Sequence, residues 1–156
     1  QRLYFPLASA GKTSSPGATI MQHENDAEFT AIEEVAIATL DAYCTHHQVI
    51  PQFLKVDVEG NELNVFKGGI NTLTKYRPKI IVEIEARHIG ETQVLETIQF
   101  LESLGYHGKI IKGYEYISTE QFTFEKFQDI NNKKSQNKTI NNIFNNLYEI
   151  SFVIIA

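Results

Sequence analysis

Two pairs of carboxylates in this sequence are spaced to act together: Asp57 with Glu59, and Glu83 with Glu85, each pair set in an apolar run. On an extended chain, residues two apart point to one side, so each pair can bind a cation or raise the pKa of one of its members. His88 follows shortly after the second pair. Together these side chains offer oxygen and nitrogen donors suited to a hard divalent ion or to abstraction of a proton from a hydroxyl. For any single carboxylate the ordinary alternative is a solvated position or a helix cap. Asp57 is the strongest candidate, because both its neighbours, Val56 and Val58, are apolar.

Strands and helices must hold these residues in place. Residues 52–58 carry Phe53, Leu54, Val56 and Val58, the near-continuous apolar run of a strand covered on both faces, and residues 79–85 repeat the pattern. Between them, Gly60 and Asn61 end the first strand. Asn61 is placed to cap a helix over 62–67 with Leu63 and Phe66 inward, and Gly68-Gly69 stops that helix. A second short helix over 70–76 must end before Pro78. Val94, Leu95, Ile98, Leu101 and Leu104 give one apolar face to a helix over 92–104, closed by Gly105.

Upstream, residues 2–9 read as a strand, Ser14-Ser15-Pro16-Gly17 impose a turn, 23–30 read as loop and 33–38 as a short strand, and Thr39 caps a helix over 40–47. Downstream, strand signals return at 109–111 and 114–117, and residues 120–130 are ambiguous between helix and loop. The Asn- and Lys-rich stretch 131–146 reads as a mobile connection before a last strand over 147–155. Strands alternating with helices predict an α/β protein with right-handed crossovers and a mainly parallel sheet covered by helices. In such sheets ligands gather beyond the carboxyl ends of the strands, where Asp57, Glu59, Glu83 and Glu85 fall.

The chain's 156 residues, 42% of them hydrophobic and 21% charged, suffice for one ordinary core and exclude a largely disordered chain, so a single domain over 1–156 is expected. A formal net charge of -5 argues against binding nucleic acid through excess positive charge. The single cysteine, Cys44, excludes an intrachain disulfide framework and a clustered-thiolate zinc site, and suits a reducing, cytoplasmic setting. The longest apolar run, over residues 152–156, falls far short of the roughly 20 needed to span a bilayer, so no membrane partner is expected. The start Gln1-Arg2-Leu3-Tyr4-Phe5 reads as a strand without the layout of a signal peptide, and a fragment of a longer polypeptide is expected.

Several smaller signals carry little. Leu3-Tyr4-Phe5 followed by Ala10-Gly11-Lys12-Thr13 imitates a phosphate-binding loop, but the first glycine of that pattern falls on Pro6 and the helix after Thr13 is blocked by Pro16 and Gly17. His46-His47 is too short for a metal motif and suits an exposed helix end, while Cys44 suits helix packing. Asn137-Lys138-Thr139 fits the glycosylation acceptor pattern by chance in a chain with no signal peptide. The phenylalanines and tyrosines fall at core spacing and read as packing, not as a base-stacking platform.

One stretch is specific: Phe53-Leu54-Lys55-Val56-Asp57-Val58-Glu59-Gly60-Asn61-Glu62-Leu63, then Val65-Phe66-Lys67-Gly68-Gly69, then Arg77-Pro78-Lys79-Ile80-Ile81-Val82-Glu83-Ile84. It closely resembles the FkbM family of methyltransferases, with its apolar strand ending in Lys-Val-Asp-Val-Glu-Gly, a following Glu-Leu, a Lys-Gly-Gly, and a proline-led strand ending in Val-Glu. The resemblance extends upstream to Thr39-Leu40-Asp41 and to Leu7-Ala8-Ser9, covering residues 3 to 106 well and the tail poorly. It implies a Rossmann-like class I methyltransferase fold, S-adenosylmethionine as methyl donor, and O-methylation of a hydroxyl on a small molecule or sugar.

By position, the resemblance puts Asp57 near the transferring methyl, as first candidate base and cofactor contact, with Ala8 and Ser9 also on the cofactor. It makes Glu59 and His88 further candidates for proton transfer. Gly60, Glu62 and Glu83 fall on the substrate side, where Glu62 can also favour a helix N-terminus and Glu83 can orient substrate or end its strand. The family's Asp-x-Gly-type loop on the first strand and its ribose-binding acidic residue on the second are not found in this sequence. The chain is therefore expected to begin near the family's third strand, with the amino-terminal strands missing, which leaves the activity of the fragment by itself open. The competing class is a non-enzymatic interaction module derived from such a domain. A truncated sheet would expose an edge strand, which predicts a homodimer or another pairing partner.

Overall fold

The computed structural model describes residues 1–6, 20, 29–112, 115–124 and 151–155 of the chain. Strand β1 (Arg2–Pro6) pairs antiparallel with β2 (Phe29–Glu34), with Tyr4 opposite Ile32. Then follow α1 (Leu40–His47), β3 (Phe53–Val56), α2 (Glu62–Lys67), α3 (Ile70–Tyr76), β4 (Lys79–Glu83), α4 (Ala86–Ser103), β5 (His107–Lys112), β6 (Glu115–Ser118), a 3-10 turn (Thr119–Gln121) and β7 (Ser151–Ile155). Among the described residues no helix is long and apolar enough to cross a membrane.

β3 to β7 form one sheet in the order β3-β4-β7-β5-β6. The α/β class holds, but among the described residues the sheet is not mainly parallel: only β3 and β4 pair in parallel, and the pairs β4 with β7, β7 with β5 and β5 with β6 are antiparallel. Helical crossovers do carry the chain from β3 to β4 and on to β5 in one direction. Strand β7 then enters between β4 and β5 running the other way. The two residues between β5 and β6 are too few for a crossover and admit only a hairpin.

The core lies where α2, α3 and α4 meet the sheet. Phe66, Leu73, Ile80, Val82, Ile84, Val94, Leu101 and Ile110 are buried there. Helix α4 starts earlier than its apolar pattern predicts, and Gly90 (φ 75, ψ 161) breaks its first turn from the rest. Its inward face also differs, since Leu95 is 42% exposed while Thr97 is fully buried. The Thr97 hydroxyl donates to the Gln93 carbonyl at 2.8 Å, so its burial leaves no unpaired polar atom. Gly105 (φ +81) closes α4 as predicted, in a left-handed conformation that other residues adopt at a cost.

Arg77, at the end of α3, ties α3 to α4. Its guanidinium donates to the carbonyls of Leu104 and Gly105 and lies 4.6 Å from the centre of the Tyr106 ring. The Tyr106 hydroxyl donates back to the Leu73 carbonyl at 3.2 Å.

Two expectations about strands need correction. Among the described residues β3 is not covered on both faces: Phe53, 59% exposed, and Lys55 point to an open face, while Leu54 and the buried Val56 point to the packed one. β2 begins at Phe29, inside the expected loop, and ends at Glu34, because pairing with β1 selects its span. The predicted turn at 14–17, the connection at 131–146 and the first part of the last predicted strand lie outside the described residues.

Candidate functional site

The parallel register sets the site. Val56 lies opposite Val82 in the last pair of the parallel ladder, so Asp57, the residue after β3, and Glu83, the last residue of β4, both fall at the carboxyl edge of this pair. Lys55 Nζ donates to Asp57 Oδ2 at 2.8 Å, with the two side chains 65% and 36% exposed. Lys55 and Asp57 are two apart at the end of one strand, so they project to one side and can meet. The hydrogen bond and charge of Asp57, with a smaller contribution from the charge of Glu83, raise the Lys55 pKa above its ordinary value. Lys55, Asp57 and Glu83 therefore share one electrostatic neighbourhood.

Beyond Asp57 the chain turns sharply. The strand stops at Val56, and Glu59 (φ 51) and Gly60 (φ 102) both adopt positive φ. Asp57 and Glu59 are thus not two teeth of one straight strand, and the period-two reading of that pair fails at the turn. A φ near 102 is open to glycine and strained for any other residue, which explains Gly60. The Gly60 N–H donates to Glu62 Oε1 at 3.0 Å. Glu62 is 2% exposed, and its Oε2 has no hydrogen-bond partner among the described residues. Asn61 occupies the cap position of α2, but its side chain accepts from Asn64 Nδ2 at 2.8 Å and caps no backbone N–H.

The second pair is also divided. Glu83 ends β4 and is half-buried at the edge, whereas Glu85 is buried just before α4. His88 lies in the first turn of α4, but its side chain is outside the described residues, as are Ala8 and Ser9. Among the described residues no three His, Cys, Asp or Glu side chains are grouped to hold a metal ion. Cys44 is buried in α1, and His46 and His47 are exposed at its end.

Sequence reasoning missed a brace behind this edge. Thr39 caps α1, its Oγ1 accepting from the Ala42 N–H at 3.1 Å, and the Asp41 N–H donates to the Gly68 carbonyl at 3.0 Å. The Asp41 carboxylate caps α3 from α1. Its Oδ1 accepts from the Thr72 N–H at 2.8 Å, and its Oδ2 accepts from the Asn71 N–H at 3.1 Å and Asn71 Nδ2 at 2.9 Å. Burial pulls the Asp41 pKa upward, but the hydrogen bonds from Thr72 and Asn71 together outweigh it and leave the pKa below 3.8. A Cβ on Gly69 would stand 2.7 Å from Leu40 Cδ2, and one on Gly68 would stand 3.2 Å from Thr39 Cβ. Gly68-Gly69 is thus the seat on which Thr39-Leu40-Asp41 rests, and a side chain at either glycine would require Leu40 or Thr39 to shift. The signal available in sequence was that both segments belong to one family pattern.

The sequence model of the methyltransferase FkbM domain matches residues 1–107, about two thirds of the chain. No curated protein and no solved structure matches it. The matched span contains the parallel pair, the Asp57–Gly60 turn and the brace of α1 on α3, so the parts that build this edge are the parts the family pattern describes. This chain belongs to the FkbM methyltransferase family.

Proposed function

We propose that the protein is a Rossmann-like, S-adenosylmethionine-dependent methyltransferase that methylates a hydroxyl of a small molecule or sugar, with its acceptor side at the carboxyl ends of β3 and β4. One observation carries the reading: the family match includes the parallel strands β3 and β4, whose carboxyl ends bear Asp57 and Glu83. The donor set fits such a cofactor and acceptor, since carboxylate oxygens accept from hydroxyls and attract a sulfonium. When bound, S-adenosylmethionine supplies the electrophilic methyl.

The chain's own residues hold and deprotonate the acceptor. Methyl transfer is an in-line displacement, so the acceptor oxygen must be held on axis and its proton removed. Lys55 occupies Asp57 Oδ2, which leaves Oδ1 to accept that proton. Glu59 and His88 are the further candidates for proton transfer, Glu83 orients the acceptor, Gly60 lets it approach the backbone, and Ala8 and Ser9 contact the cofactor. A second reading, a non-enzymatic module, is favoured by the position of β3, which among the described residues is the outer strand of its sheet with Phe53 exposed on it, an edge suited to strand pairing with a second copy.

Transfer of a tritiated methyl from S-adenosylmethionine to a panel of small hydroxyl acceptors and sugars tests the enzyme reading. Wild type labels at least one acceptor, and Asp57→Asn lowers turnover about 100-fold or more, the scale of a lost general base, while binding cofactor as tightly. A fully active Asp57→Asn protein would overturn the role given to Asp57.

A further inference from the structure

We infer that Glu62 is a positioning residue, which holds the Glu59–Gly60 turn and so places Asp57 and Glu59 at the carboxyl edge of β3. What the turn serves rests on the methyltransferase reading above; that Glu62 holds it does not.

Glu62 is 2% exposed, so its carboxylate does not face solvent as a substrate contact would. Among the described residues its one hydrogen bond leaves the helix it begins and reaches back to the Gly60 N–H at 3.0 Å. That N–H belongs to the second of two consecutive residues with positive φ, Glu59 at 51 and Gly60 at 102. Such a conformation at Glu59 is held only where the surroundings over-determine it. The Glu62 carboxylate, accepting from the Gly60 N–H, holds this turn from its buried side.

A carboxylate in the first turn of α2 favours the helix start, but that small effect is weaker than the cost of burying the group. A short capping oxygen would serve the helix start, and burying a carboxylate with Oε2 unpaired among the described residues costs free energy. Replacing Glu62 alone by an apolar residue relieves that cost but leaves the half-buried Gly60 N–H without its acceptor. A residue that costs stability and fixes a turn beside the candidate base is one kept for the geometry of that turn.

Glu62→Met keeps the volume and removes the acceptor, whereas Glu62→Gln keeps Oε1 as acceptor. The two are compared with wild type by thermal melting, by amide hydrogen exchange at Gly60 read by NMR, and by the methyl-transfer assay. Glu62→Met is expected to stay folded, as thermal melting reports, and to exchange the Gly60 amide about tenfold faster, as befits one lost hydrogen bond. Its methyl transfer falls, and Glu62→Gln restores both slow exchange and transfer. Unchanged Gly60 exchange in Glu62→Met, or wild-type transfer by it, would overturn the inference. Should Glu62→Met not fold, fast Gly60 exchange in a folded Glu62→Gln protein overturns it, and slow exchange supports it. If wild type transfers methyl to no acceptor while the exchange pattern holds, the functional reading fails and the hold of Glu62 on the turn stands.

Discussion

Replacing Asp41 by alanine removes a carboxylate that receives three hydrogen bonds from the start of α3, across some thirty residues of chain. Loss of a helix cap costs about 1 kcal/mol, and hydrogen bonds to a charged group are worth about 1.5–3 kcal/mol, so the Asp41→Ala cost is about 2 kcal/mol. For a domain of this size that lowers the melting temperature by about 4–8 °C. Asp41→Asn keeps one acceptor oxygen and should lose about half as much.

The pH dependence follows from the depressed pKa. A carboxyl whose folded pKa lies below its unfolded value contributes stability that is fully present above the unfolded value and is lost as pH falls through the folded one. The gap between wild type and Asp41→Ala is therefore constant near neutral pH and narrows as pH drops below 3.8. Denaturant unfolding followed by circular dichroism at pH 7, 5 and 3 measures it. A variant as stable as wild type at pH 7, or a gap undiminished at pH 3, would refute the brace.

Two other contacts make comparable predictions. Gly69→Ala drives a Cβ to 2.7 Å from Leu40 Cδ2 and should cost about 1–3 kcal/mol by urea unfolding, with part of the cost recovered when Leu40→Ala is added. Arg77→Lys loses the fork that donates to the Leu104 and Gly105 carbonyls and stacks on Tyr106, and should lower the urea midpoint by the equivalent of about 1–2 kcal/mol.

Locally encoded features were legible in the sequence. Helices α1, α2 and α3 have the bounds that Thr39, Gly68-Gly69 and Pro78 imply, because caps and breakers act on their own neighbours. β3 and β4 are legible from their apolar runs, though β3 stops before Asp57 and β4 ends on Glu83, before Glu85. Features set by distant partners were not legible. The place of β7 between β4 and β5 is decided by strand pairing across a long stretch of chain, and β2 takes its span from β1. At the site, the run Lys-Val-Asp-Val-Glu-Gly located the edge, but the positive φ of Glu59 that ends the alternation was not visible in it. The burial of Glu62 and the capping of α3 by Asp41 depend on how helices pack, which no spacing of residue types shows.

The central claim is that this edge belongs to a cofactor-dependent methyltransferase, and calorimetric titration of the protein with S-adenosylhomocysteine tests it most directly, because product binding requires no knowledge of the acceptor. The account predicts saturable binding, at one site per chain, that survives Asp57→Asn. No saturable heat at millimolar ligand would contradict it.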